Sequence, residues 1–476
     1  MATLSARSLA VMLDRWRTPA TSPAYLALAD RVRLLILDGR VSLGTRLPAE
    51  RELAETLGVS RTTVTAAYGD LRTSGYLSST RGSGSVARLP GRAPIAIESR
   101  ETGYLDLSKA TMPAVPAIAD AARRAAEELP AYLGDSGFDA VGILPLRQAI
   151  ADRYAARGLP TDPEQIMVTV GAQHAIALIS RTLMARGDRA LVESPSYPHA
   201  FEALRLAGAR LVPVSVTTDD GWDEPALEQA IQRTSPALGY LMPDFHNPTG
   251  RTMSAETRER VLELAASHGT VLVADETMAE LSIDRADVPL PFAAYDRGGQ
   301  NAIVIGSVGK TLWGGLRIGW IRAERHVIQK LVRARSAGDL GTPALEQLVV
   351  KNLLAEYDEI LDLRRRQLHA GRDYLERALA EAFPAWSVPH VDGGLTTWIN
   401  LGVPVSSQLT LAARNEGLLL AAGPRFGIDG AFERFIRIPF THSPEETDRA
   451  VAALTVAWAS LARGPILDST YLADVV

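Results

Sequence analysis

Ser307-Val308-Gly309-Lys310-Thr311-Leu312-Trp313-Gly314-Gly315-Leu316-Arg317 is the stretch on which the reading of this chain turns. The sequence has only four lysines, Lys109, Lys310, Lys330 and Lys351, although arginine is abundant throughout. The apolar run Ala302-Ile303-Val304-Ile305-Gly306 predicts a buried strand that delivers Lys310 onto a loop of small residues rather than onto a solvated helix face. An ammonium kept from full hydration loses its proton more readily, and the free amine attacks carbonyl carbon. Ser307 and Arg317 flank it with the donors a phosphate uses. The segment reads as a Schiff-base lysine beside a phosphate site; the plainer alternative is a surface lysine in a glycine-rich turn.

Outward from that loop, from Leu105 onward, short apolar strands alternate with helical stretches, which predicts a mostly parallel sheet covered by helices. The strand Ile166-Met167-Val168-Thr169-Val170 runs into Gly171-Ala172-Gln173 and then a helix. Small residues at such a junction expose backbone N–H groups at the positive end of the helix, a cradle for phosphate, although taken alone the junction serves equally as a tight turn. Ser194-Pro195-Ser196-Tyr197-Pro198 places an aromatic ring on a sheet-edge loop, where Tyr197 either stacks on a planar ligand or packs in the core. Pro243-Asp244-Phe245-His246-Asn247-Pro248-Thr249-Gly250 is more specific, because its prolines and glycine fix a loop that aims the Asn247 amide, a donor suited to a phenolate. Thr270-Val271-Leu272-Val273-Ala274 ends in Asp275-Glu276, and an acid at the end of a buried strand needs a cationic partner. Arg437 lies inside the apolar strand Phe435-Ile436-Arg437-Ile438-Pro439-Phe440 and calls for an anion, such as a substrate carboxylate.

Charge is spread unevenly. Residues 1–92 carry thirteen arginines, no lysine and seven acids, a net +6, whereas the remainder carries −11, so the overall −5 hides a basic head on an acidic body. That asymmetry points to a polyanion at one end. Leu9, Met12, Leu13 and Trp16 fall on one face of a short N-terminal helix, and Ala24 to Asp38 repeats apolar residues at helical spacing. Leu47 to Leu57 reads as a helix with proline in its first turn, stopped by Gly58. Ser60 is a natural N-cap for the helix beginning Arg61-Thr62-Thr63. Two helices joined by a glycine turn make a helix-turn-helix whose second member offers its polar, cationic end to a major groove. Ser79 to Val86 reads as a hairpin wing with a glycine-rich tip.

The 476 residues suggest about three units, and 46% hydrophobic with 22% charged residues is ordinary for a globular protein. With no cysteine there is neither disulfide nor thiolate metal site. No apolar run approaches the roughly 20 residues of a spanning helix, and no signal peptide is evident. A cytoplasmic location is expected.

Residues 24–87 resemble the GntR-type winged-helix domain, through the Leu-Pro-x-x-Arg stretch, the Ser-Arg-x-Thr-Val helix start and the Gly-x-Gly wing. The resemblance implies DNA contacts from Arg51, Ser60, Arg61, Thr62, Thr63 and the wing residues Arg81 and Gly82. Residues 105–476 resemble the fold type I aminotransferases, most diagnostically in the Asn-Pro-x-Gly element and the Ser-x-x-Lys segment. Joined, the two parts look like the MocR family of transcription regulators.

That resemblance implies a winged helix-turn-helix domain over residues 1–87, a linker over 88–104 and an α/β body over 105–476. In the body, a mostly parallel large domain precedes a smaller α+β part from about residue 356. It further implies a homodimer, often with heads exchanged between subunits. One ligand, pyridoxal 5'-phosphate, satisfies every unusual residue of the body. Lys310 takes its aldehyde, Gly171, Ala172, Gln173, Ser307 and Arg317 its phosphate, Tyr197 its ring, Asn247 its phenolate and Asp275 its pyridine nitrogen. Lys310 and Asp275 are the catalytic candidates, and Arg437 anchors the carboxylate of an amino-acid effector.

Three positions depart from the enzyme pattern. Met278 stands where a tyrosine hydroxyl is usual, Phe138 lies near where a partner's tyrosine would reach the phosphate, and Gly309 replaces a serine. These losses tilt the expectation toward a sensor of an amino acid, an amine or the cofactor. The rivals are an aminotransferase with a merely localising head and a phosphate-binding structural dimer.

Overall fold

The computed structural model describes residues 3–13, 16, 23–37, 40–41, 44–80, 84–88, 103–284, 289–298, 301–428 and 430–461. Arg81, Gly82 and almost all of the expected linker lie outside the described residues.

The head is built from helices Ala24–Leu37, Glu50–Leu57 and Arg61–Thr73 and an antiparallel hairpin pairing Leu77–Thr80 with Gly84–Ala87. The helix Ala6–Leu13 closes its core, where Leu9, Leu13, Leu28, Val32, Val64 and Leu71 are buried together. Trp16 joins this core from outside the helix, which ends at Leu13. The helix expected from Leu47 begins instead at Glu50, because the residues before it are committed elsewhere: Leu47 N donates to Ser85 O (2.9 Å) and Tyr68 OH donates to Pro48 O (3.1 Å). Those bonds tie the turn to the wing and to the second helix. Gly58 ends the first helix in the left-handed region (φ 64°), a conformation that costs glycine little.

The body centres on an eight-stranded sheet. Its order is Ile166–Thr169, Gly319–Arg322, Ala302–Ser307, Val271–Asp275, Leu238–Leu241, Arg189–Ser194, Arg210–Thr217 and Gly221–Trp222. Neighbours from Ala302–Ser307 through Arg210–Thr217 pair in parallel, while Gly319–Arg322 runs against both its neighbours. Helices bury both faces, so the inner strands are apolar in succession rather than in alternation. Parallel strands bring their carboxyl ends to one edge, where ligands of open α/β sheets bind.

A smaller unit forms on the antiparallel strands Thr396–Asn400, Phe435–Pro439 and Ala421–Ala422, packed by the helices Ser406–Asn415 and Pro444–Ser460. The expected boundary near residue 356 coincides with the start of helix Tyr357–Ala382, which belongs to both units: Tyr357, Ile360 and Leu361 pack in the core beside the large sheet, and Leu368, Leu375 and Leu379 in the smaller core. Residues after 105, expected to open the large domain, also join the smaller one. Leu105–Asp106 pairs in parallel with Leu418–Leu419, and Leu105, Leu107 and Met112 are buried in its core. The chain therefore crosses from the smaller unit past the sheet edge before it enters the large one. Among the described residues no helix is long and apolar enough to cross a membrane.

Candidate functional site

Five strand ends of the large sheet supply the site. The strand Ala302–Ser307 leads into the loop that carries Lys310, whose Nζ donates to Ala110 O at 2.8 Å. Burial, followed by the repulsion of Arg437, pulls this ammonium down to about 8, with Asp275 acting in the opposite direction. A lysine at 8 holds about three-hundredfold more free amine at neutral pH than one at its ordinary 10.5. That is what a carbonyl-capturing amine needs.

Asp275 ends the adjacent parallel strand and is 2% exposed. Its Oδ2 accepts from Tyr240 OH at 2.7 Å and its Oδ1 from Thr277 N at 3.0 Å. Burial pushes its carboxyl upward, while those two bonds, a further one from the Thr277 side chain and the Lys310 charge hold it down. Tyr197 is half-buried at the start of helix Pro198–Leu206, edge-on to His199 at 5.3 Å. Burial and then the Asp275 charge raise its phenol, with Arg437 and Arg317 opposing, so those four groups share one electrostatic neighbourhood.

The phosphate end rests on glycine geometry. Gly171 has φ 78° and ψ 170° and stands before helix Ala172–Leu183 without a side-chain cap, so the first N–H groups of the helix remain for an anion. A Cβ at Gly171 would lie 2.7 Å from an Arg317 nitrogen, and one at Gly319 would lie 2.7 Å from the Gly171 carbonyl carbon. Arg317 is exposed and donates to Val170 O at 3.1 Å and to Gly314 O at 3.3 Å. Gln173 donates to His199 O at 3.0 Å, leaving its Oε1 buried without a partner. Ser307 differs from expectation: its hydroxyl donates to Ile318 O and accepts from Gly309 N, both at 3.1 Å, so its one proton is committed to shaping the loop.

Arg437 enters from the smaller unit and is fully buried. It donates to Ser108 O and, at 3.4 Å, to Asn247 Oδ1, and its guanidinium lies 4.9 Å from the Phe426 ring centre. Its Nε has no partner, and among the described residues no carboxylate is within ion-pair distance. Burial accordingly lowers it to about 10. A cation kept in this condition suits an incoming carboxylate. Asn247 itself is 6% exposed, held by its loop beside that guanidinium.

The structure thus gathers Gly171, Ala172, Gln173, Tyr197, Asn247, Asp275, Lys310, Arg317 and Arg437 at one edge, as the sequence suggested. Tyr240, Ser108 and Ala110 were not singled out there. Tyr240 reads as an ordinary core residue of its strand, and the other two contribute only carbonyls, which no residue pattern announces. Met278 is buried in the smaller core and Phe138 is 70% exposed, so neither brings a hydroxyl. The free cradle at Gly171, the lowered amine and a buried cation with no carboxylate in ion-pair distance among the described residues fit pyridoxal phosphate with an amino acid.

At the other end of the molecule Ser60 accepts from Thr63 N at 3.1 Å, capping the helix Arg61–Thr73. Arg61 and Thr62 are exposed at that tip and Thr63 is half-buried. Arg51 is exposed and reaches Glu55 at 3.0 Å, a solvated pair worth little on its own. Head and body touch through the Arg40–Glu433 ion pair and through Leu411, which packs against the head core.

The family described as aminotransferase class I and II matches residues 103–454, and the bacterial regulatory proteins of the gntR family match residues 24–86. The chain is 30% identical to the uncharacterized HTH-type transcriptional regulator YdcR of Escherichia coli, over 87% of this chain and 94% of that one. It is 32% identical to the probable rhizopine catabolism regulatory protein MocR of Rhizobium meliloti, over 87% of this chain and 86% of that one. Among solved structures, the α-aminoadipate aminotransferase LysN of Thermus thermophilus, complexed with N-(5'-phosphopyridoxyl)-L-leucine, superposes with a TM-score of 0.68 at 30% identity, covering 76% of this chain and 93% of that one.

Proposed function

Because this chain belongs to the family of helix-turn-helix regulators that join a GntR-type head to an aminotransferase class I and II body, we propose that it regulates transcription by sensing an amino acid at its pyridoxal phosphate site. When bound, that cofactor supplies an aldehyde, an anionic phosphate and a protonatable ring that withdraws electrons. The chain's own residues do the rest. Lys310 provides the amine that takes the aldehyde, and a free effector amine competes with it for the same carbon. Gly171, Ala172 and Arg317 hold the phosphate, Asp275 keeps a proton on the ring nitrogen, and Asn247 faces the phenolic oxygen.

The observation that carries the reading is Arg437, fully buried and, among the described residues, without a carboxylate in ion-pair distance, Asp106 acting on it only from further away, on the strand facing Lys310 and Asn247. An effector carrying both an amine and a carboxylate satisfies Lys310's cofactor and Arg437 together. Binding that draws on Arg437 acts on the smaller unit, and the head rests on that unit through Arg40 and Glu433. An effector switches the heads only if it binds one disposition better than the other.

We read the DNA end as Ser60, Arg61, Thr62 and Thr63 with Arg51 as a phosphate contact, and the wing at Arg81 and Gly82. A DNA partner supports a cytoplasmic location. A homodimer is supported by exposed apolar side chains, Leu133, Phe138, Leu144, Leu340 and Leu345, near the point where Gly341 packs against the Asp139 backbone. Exchange of heads between subunits would remake the Arg40–Glu433 contact across the dimer. The complete Lys310, Asp275, Asn247 and Arg437 set also supports a residual aminotransferase activity, against which stand the missing hydroxyls at Met278 and Phe138.

The test is operator binding with and without amino acids, for the wild type and Lys310→Ala. A midpoint that moves in the wild type and stays fixed in the variant is expected; equal shifts in both would exclude sensing through Lys310.

A further inference from the structure

Tyr240 is 1% exposed in the middle of the parallel sheet, on the strand Leu238–Leu241 beside the one that carries Asp275. Tyr240 is paired in register with Val273, so Tyr240, Val273 and Asp275 project from one face of the sheet, and the phenol reaches two residues along to the carboxylate at 2.7 Å. A buried phenol of this kind needs an acceptor. Two residues therefore clamp Asp275, Tyr240 through its hydroxyl on Oδ2 and Thr277 through its amide on Oδ1 and through its side chain. A carboxylate offers about four acceptor directions, so one remains open. Clamped at both oxygens, the carboxylate cannot turn about its own axis.

We propose that Tyr240 is a positioning residue whose hydroxyl fixes Asp275 as an ionised, correctly turned partner for the ring nitrogen of pyridoxal phosphate. This rests on the cofactor reading given above. The other charged or titratable groups facing Asp275 are Lys310, from the loop after Ser307, and Tyr197, from the loop after Ser194; Glu193 faces Tyr240. Lys310 favours the ionised carboxylate while its amine is charged. Tyr240 and Thr277, the latter through both its amide and its side chain, oppose the burial that drives the carboxyl toward its neutral form. Burial and the nearby Asp275 raise the Tyr240 phenol itself, so it stays a donor across the working pH range.

The experiment uses the full chain with Tyr240→Phe and pyridoxal phosphate labelled with 15N in its ring. Loss of one hydrogen bond to a charged group predicts about tenfold weaker cofactor binding. It also predicts a 15N resonance moved toward the unprotonated pyridine position at neutral pH, because the shared proton passes to Asp275. Tyr240→Phe is near-isosteric, and circular dichroism with dimer mass checks that it folds. A purely structural Tyr240 would lower the unfolding midpoint and leave the 15N shift where it is, which would overturn the proposal. A wild type that bound no cofactor would sink the site reading and this proposal with it, whereas a binding wild type with an indistinguishable variant would sink the proposal alone.

Discussion

Replacing Gly171 by alanine separates the backbone geometry of the phosphate cradle from its chemistry. At φ 78° and ψ 170° the residue occupies a region essentially confined to glycine, which costs another residue about 1–3 kcal/mol. The new Cβ would also stand 2.7 Å from the Arg317 guanidinium and displace it from its 3.1 Å bond to Val170 O, a loss of about 0.5–1.5 kcal/mol. Together the cofactor-free body should lose about 1.5–4.5 kcal/mol of stability. Because Arg317 and the first N–H groups of the helix are displaced from the anion as well, affinity for pyridoxal phosphate should fall by at least about tenfold. Gly187→Ala is the control: its φ is 95° and nothing lies within 4 Å of the added Cβ, so it should cost strain alone and leave affinity intact. Urea unfolding of the cofactor-free protein and fluorescence titration with pyridoxal phosphate measure the two effects separately. A Gly171→Ala variant that bound the cofactor as tightly as the wild type would refute the cradle.

Four further outcomes are expected. In the cofactor-free protein Lys310, lowered to about 8 from 10.5, is bound by fewer protons folded than unfolded between those values, so its contribution to stability is poorest below pH 8 and improves as pH rises toward 10.5. Lys310→Met should therefore be more stable than the wild type below pH 8 in urea melts, with the advantage fading above it. Arg437→Gln should abolish the operator response to amino acids while sparing any response to amines that lack a carboxylate, read by fluorescence anisotropy on labelled operator. Ser60→Ala removes the cap on Thr63 N and should cost the head about 1 kcal/mol, with weaker operator binding, measured by thermal melts and the same anisotropy assay. Arg40→Glu should loosen the head from the smaller unit, seen as faster hydrogen exchange at Leu411, and Glu433→Arg in the same chain should restore protection.

Much of the site was legible in the sequence because its residues are chemically out of place. Lys310 is one of four lysines and follows a strand; Asp275 and Arg437 are charges inside apolar runs; Asn247 sits between two prolines. Burial makes each of them costly unless it has a partner, and the cost is visible before any coordinates. Tyr240 escaped notice because a tyrosine in a strand is ordinary, and its bond to Asp275 depends on which strands are neighbours. Register between Leu238–Leu241 and Val271–Asp275 is a property of the sheet, not of either segment. The same holds for Ser108 and Ala110, whose carbonyls meet Arg437 and Lys310 only because residues 105–112 pack with the smaller unit. Ser307 shows the converse: its residue type suits a phosphate, while in the structure its hydroxyl donates to Ile318 O within the tight loop.

The central claim is that Lys310 holds the cofactor through its side-chain amine, and hydride trapping tests it most directly. Protein loaded with pyridoxal phosphate, reduced with borohydride, digested and weighed by mass spectrometry should carry the phosphopyridoxyl group on the peptide containing Lys310. An adduct on Lys109, Lys330 or Lys351 instead, or no adduct at all, would contradict it.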